Sequence, residues 1–137
     1  MMVLSPAVRL ARLHIIAASL DSAATGGLIR IYSAPRPAAG DSVTAQIMLA
    51  ELELPKPPIA DLADDTLTFA PIPEALCNAS GTAAWARLSN GAGLWVADID
   101  VGETGSGAEL EMSSVDLLAG GAITVSLAQL HELPSDS

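Results

Sequence analysis

One cysteine, one lysine, one phenylalanine and one tyrosine are spread through 137 residues, with only two tryptophans and two histidines. A lone Cys77 excludes an intrachain disulfide framework and a thiolate zinc site. It has neither a neighbouring base nor a basic flank, so it reads as a small buried hydrophobe rather than a nucleophile. His14 and His131 stand at opposite ends of the chain, too far apart in sequence for a metal-ligand motif. No Gly-x-Ser-x-Gly, paired-carboxylate cleft or basic-aromatic stripe is evident. The glycines from Gly102 to Gly107 recur at spacings that do not match a dinucleotide fingerprint. Asp98, Asp100 and Glu103 resemble fragments of a calcium loop, but Ile99 and Val101 alternate with them, as at a strand end whose carboxylates face water. The expectation is a protein with no catalytic residues, no cofactor and no metal.

Long apolar runs are missing too. No stretch of about 18 uncharged apolar residues exists, which argues against a transmembrane helix. Val8 to Leu20 imitates a secretory signal only in outline, because Arg12 and His14 interrupt it.

Positive charge is scarce and unevenly placed. Through residue 40 there are four arginines against Asp21, a net +3; from residue 41 onward Lys56 and Arg87 face fifteen acids, a net −13. A basic leader precedes an acidic body. Such a body repels phosphate backbones, so nucleic acid is not an expected partner. Charged residues are 16% of the chain, well below the usual quarter, which leaves an apolar outer surface suited to subunit contacts. Half the residues are hydrophobic, mostly Ala, Leu, Val and Ile, so the core is aliphatic.

Ser5-Pro6 is a helix start, a capping hydroxyl with proline in the first turn. Leu10, Leu13, Ala17 and Leu20 then form one apolar stripe, and the helix ends before Gly26-Gly27. This places a helical arm over residues 1–24 ahead of a single β domain over 25–137. After Gly27 the period changes to two. Seven strands are expected: Leu28 to Tyr32, Gln46 to Leu54, Thr66 to Phe69, Thr82 to Leu88, Leu94 to Val101, Ala108 to Met112 and Ala122 to Leu130. Pro35, Pro37, Pro55, Pro57, Pro58, Pro71 and Pro73 punctuate them. In the last strand Ile123, Val125 and Leu127 share one face. Short strands with turns every ten residues or so predict a mainly β fold, an antiparallel, jelly-roll-like β-sandwich with a short N-terminal α-helix.

The hairpin around Asn90-Gly91 is the most informative segment, because Asn-Gly favours a tight turn between paired strands. With a loop of two or four residues, Ala84, Ala86 and Leu88 share a face with Trp95, Ala97 and Ile99, which puts Trp95 in the core. The other face carries Ala83, Trp85, Arg87, Leu94, Val96, Asp98 and Asp100, a mixture of large apolar groups and charges. Such a face reads either as cover for another part of the chain or as a partner surface with Trp85 as anchor. The expected interface set is Arg9, Arg12 and Leu13 on the helix, Arg36 in the leader, and Trp85, Arg87, Leu94 and Val96 on the hairpin. The leader, from Met1 to about Pro37, is expected to reach another subunit.

Three segments carry a family resemblance: Gly27-Leu28-Ile29-Arg30-Ile31-Tyr32-Ser33-Ala34-Pro35-Arg36-Pro37, Leu49-Ala50-Glu51-Leu52, and Ser80-Gly81-Thr82-Ala83-Ala84-Trp85-Ala86-Arg87-Leu88. They resemble small bacteriophage structural proteins, and among them the cement, or decoration, proteins of tailed-phage capsids with a jelly-roll fold. The similarity spans most of residues 27–130. It implies a dimer on the outer surface of an icosahedral head, tying major capsid subunits together, with no catalytic residues. The same features also suit a phage tail or baseplate subunit, or a carbohydrate-binding β-sandwich with Trp85 stacked on a sugar ring.

Overall fold

The computed structural model describes residues 2–21, 26–38, 40–63 and 65–131. Among these residues the chain is mainly β, with one helix near the N-terminus. Helix α1 spans Pro6–Leu20, and the Ser5 hydroxyl accepts a hydrogen bond from the Val8 N–H at 3.2 Å, as the Ser-Pro start predicts. The strands are β1 (Leu28–Ser33), β2 (Met48–Glu53), β3 (Ile59–Ala63), β4 (Thr66–Phe69), β5 (Ala75–Leu76), β6 (Gly81–Ser89), β7 (Trp95–Glu103), β8 (Leu110–Met112), β9 (Asp116–Leu117), β10 (Ala122–Ile123) and β11 (Val125–His131).

The main sheet runs β2-β1-β6-β7-β8-β11-β4-β3, with β9 paired to β6, and β10 and β5 form a separate two-stranded ladder. Among the described residues all pairings are antiparallel except β7 with β8, which a loop over residues 104–109 joins in parallel. The sheet curls so that both halves bury residues in one core: Ile29, Leu52, Leu88 and Ile99 from one, Leu67, Phe69, Leu110 and Leu130 from the other. That is the β-sandwich the alternation predicts.

Helix α1 belongs to this core. Leu13 and Leu20 are buried, and the helix touches β3, β4 and β7, strands from separate parts of the sheet order. Two polar ties lock it: Arg9 Nε donates to Asp65 at 2.9 Å, and Lys56 Nζ to Asp21 at 2.7 Å. Leu13 is therefore committed to its own subunit and is not available to a partner, because an apolar stripe next to an open sandwich edge gains most by closing it. The junction expected near residue 24 lies outside the described residues.

Strand β3 was not apparent in the sequence. Pro55, Pro57 and Pro58 precede it and Asp61 faces water, features that an edge strand tolerates. In β11 the alternation shifts at Ser126, where a bulge in the pairing with β8 leaves Leu127 exposed and turns Ala128 and Leu130 inward. The expected Ile123, Val125 and Leu127 face thus breaks before its end. No helix among the described residues is long and apolar enough to cross a membrane.

Candidate functional site

The outer face of β1, β6 and β7 holds the charged and aromatic residues that the hairpin pattern singled out. Pairing along β6 and β7 starts as expected, with Ala86 opposite Ile99 and Leu88 opposite Ala97. The register then shifts, so that Ser89 faces Trp95 and Val96 is the extra residue. The connecting loop runs from Asn90 to Leu94. It is held by Asn90, whose N–H donates to the Leu94 carbonyl and whose side-chain oxygen accepts from the Ala92 and Leu94 N–H groups, each at 3.0 Å. The left-handed residue is Gly93, with φ +85°, not the Asn-Gly pair.

This bulge overturns the expected roles of both tryptophans. Trp95 swings onto the face of Trp85 and Arg87 and is 49% exposed, while Trp85 is 1% exposed. Val96 turns the other way and packs against the core. Trp85 is covered by its own chain: Tyr32 stacks on it at 4.7 Å between ring centroids, and its Nε1 donates to the Ser33 carbonyl at 3.0 Å. It is neither a partner anchor nor a sugar platform, because both roles need an open ring face.

Four side chains then form a relay across the face. The Arg87 guanidinium lies over the Trp85 ring, 5.3 Å from its centroid. Its Nε and Nη2 donate to the two carboxylate oxygens of Asp98 at 2.8 and 3.1 Å, a bidentate pair with little exposure on either side. Asp98 Oδ1 also accepts from the Trp95 Nε1 at 3.1 Å. Arg87 Nη2 reaches on to the Asp41 carbonyl at 2.7 Å, tying the β1–β2 connection across the face.

The hydrogen bond to Asp98 raises the pKa of Arg87 against the opposing effect of burial. Burial pushes the Asp98 carboxyl up, but the bonds from Arg87 and Trp95, the Arg87 charge and the Gly40 backbone together hold it below the ordinary carboxylate range. Both groups therefore stay ionised through neutral pH.

The remaining expected interface residues separate. Arg9 is spent on Asp65 and the Leu4 carbonyl. Arg12 and Leu94 are exposed, on the helix and at the hairpin end respectively. Arg36 pairs with Asp100 at 3.1 Å in the open, at the rim of the hairpin. Arg87 is largely buried under the β1–β2 connection. The structure thus brings Arg36, Trp85 and Arg87 to one face and leaves the helix residues elsewhere.

The glycine loop beyond β7 is also more ordered in purpose than its composition suggests. Buried Glu111 accepts from the Gly105 N–H at 3.1 Å and the Gly107 N–H at 2.9 Å, so the loop's amide cradle holds the chain's own carboxylate. Cys77 is buried, and His131 bonds Thr66 at 3.1 Å. Among the described residues, no group of three His, Cys, Asp or Glu is placed to hold a metal ion.

No family model matches the chain, and neither a curated protein nor a solved structure matches it.

Proposed function

We propose that this chain is a structural subunit of a tailed-phage particle, a cement protein that binds the outside of the icosahedral head as a dimer and ties neighbouring major capsid subunits together. The observation that carries the reading is the outer side of α1. Val8, Ala11, Ile15 and Ala18 recur at spacings of three, four and three on the side opposite Leu13 and Leu20, and all four are exposed. Ile15 is 65% exposed, and Met2 and Val3 ahead of the helix are exposed as well. A helix whose inner stripe is already spent on its own core, yet whose outer stripe is also apolar, fits burial against a second protein.

Charge fits the same role. A body of net −13 is suited to the outside of a DNA-filled shell and discourages contact with the packaged phosphates or an anionic membrane. Charge pairing with an acidic partner surface would orient such a contact rather than supply its strength, which falls to the apolar stripe. The segment resemblance supplies the identity of the partner, and the protein would pass from host cytoplasm to the outer surface of the virion.

The test is electron microscopy of particles made from the genome that encodes this chain. Density of this sandwich on the outer head surface is expected, with α1 at the contact. Particles that lack the chain, or carry it in the tail or baseplate, overturn the head assignment. The double variant Val8→Ser and Ile15→Ser should melt like the parent and lose attachment, because neither side chain belongs to the subunit's own core.

A further inference from the structure

We infer that the exposed face of Trp95 is a binding platform for a neutral pyranose ring, with Arg36 and Asp100 as its hydrogen-bonding rim. This is a site separate from the helix surface proposed above.

Three observations define the platform. A β-carbon placed on Gly40 would fall 2.9, 3.0 and 3.2 Å from Cζ3, Cη2 and Cε3 of Trp95. Only an approach over the ring plane keeps three consecutive ring atoms so nearly equidistant, because an edge-on approach would leave the outer two much farther than the middle one. Gly40, with φ +73°, therefore lies on one face of the indole, and Trp95 is still 49% exposed. The indole is also fixed in rotation: its Nε1 donates to Asp98, which is itself clamped by Arg87. An exposed aromatic ring held from behind and by its edge gives up little side-chain entropy when something stacks on it.

The surroundings choose the occupant. Trp95 lines a groove of about 440 Å³ with Arg36, Pro37 and Asp98, within the range of small-ligand sites. Asp98 is neutralised by Arg87, and Arg36 by Asp100 in an open pair whose side chains are 45% and 64% exposed. The groove therefore has almost no net charge, and the Arg36 guanidinium that lines it, with the Asp100 carboxylate bonded to it, offers donors and acceptors side by side. Sugar hydroxyls both donate and accept, and the C–H face of a pyranose carries the weak positive potential that an indole face attracts. A nucleobase would also stack, but its phosphates would meet a chain of net charge −10.

The experiment is a glycan array probed with the full-length protein, followed by titration of its best neutral oligosaccharide while the Trp95 indole N–H resonance is observed. Binding should shift that resonance and leave that of Trp85 in place. Trp95→Ala should weaken binding by about tenfold, as loss of one stacking contact implies, and Arg36→Ala by a smaller factor. Trp95→Phe should retain part of it. Both Trp95 and Arg36 are at the surface, so the variants should fold, and a cooperative thermal melt with only a modest loss of stability in Trp95→Ala confirms it. An array with no binding above that of Trp95→Ala overturns the inference. So does a ligand whose affinity does not depend on Trp95, or a result in which Trp95→Ala loses particle attachment while the array stays blank. The last outcome would make Trp95 a protein contact, and the head assignment would survive it.

Discussion

Trp85 and Trp95 stand on the same face of the β6–β7 hairpin, the first sealed under Tyr32 and the second half open, and the Arg87–Asp98 pair links them. The buried ring supports the guanidinium, the guanidinium fixes the carboxylate, and the carboxylate holds the open ring. Each link is a contact with partners on both sides, so removing any one should be felt along the line.

Trp85→Ala should be the costlier of the two tryptophan truncations, at about 3–5 kcal/mol, because it empties a fully enclosed volume and strands the Ser33 carbonyl. Trp95→Ala should cost well under half as much. Urea unfolding of the two variants distinguishes this order from its reverse, which is what a hairpin without a bulge would give.

Asp98→Ala should destabilise the fold by about 3 kcal/mol, since it leaves Arg87 charged, largely buried and without its bidentate partner. It should also free the Trp95 ring, seen as a drop in the fluorescence anisotropy of that indole. Unchanged anisotropy would mean that Gly40 alone fixes the platform.

Acid should act through the same carboxylate. The folded-state pKa of Asp98 lies below its unfolded value, so its contribution is present above the ordinary carboxylate pKa of about 4 and is lost as pH falls through the lower folded value. Stability measured from neutral pH down into this range should therefore decline less in Asp98→Asn than in the parent. Parallel curves would assign the acid sensitivity to other carboxylates.

Helix α1 makes a paired prediction. Leu13→Ala should cost about 3 kcal/mol, as for a fully buried leucine, whereas Ile15→Ala should stay within about 0.5 kcal/mol. Thermal melts of the two proteins check it. Equal effects would mean that the outer side of the helix is packed in solution by a second copy.

Glu111→Ala should release the loop between β7 and β8. Two backbone N–H groups lose their acceptor, at about 1–3 kcal/mol, and amide exchange at Gly105 and Gly107 should rise well above that of the neighbouring strands.

What the sequence determined by itself was local and periodic. Ser5-Pro6 capped the helix where it stands; Leu67 and Phe69 alternated inward in β4; Ala86, Leu88, Ala97 and Ile99 shared one face, because a side chain's direction in a regular strand follows from its position in the count. Long-range packing took over where that count is interrupted. One extra residue at Val96 reversed Trp95, and another at Ser126 exposed Leu127, and neither bulge leaves a mark in the alternation before it occurs. The cover over Trp85 comes from Tyr32 and Ser33, far earlier in the chain, and the parallel contact of β7 with β8 depends on how Glu111 pins an otherwise permissive glycine loop. Alternation tells which residues share a face, but whether that face meets water depends on which distant segment closes over it, and that is settled by long-range packing.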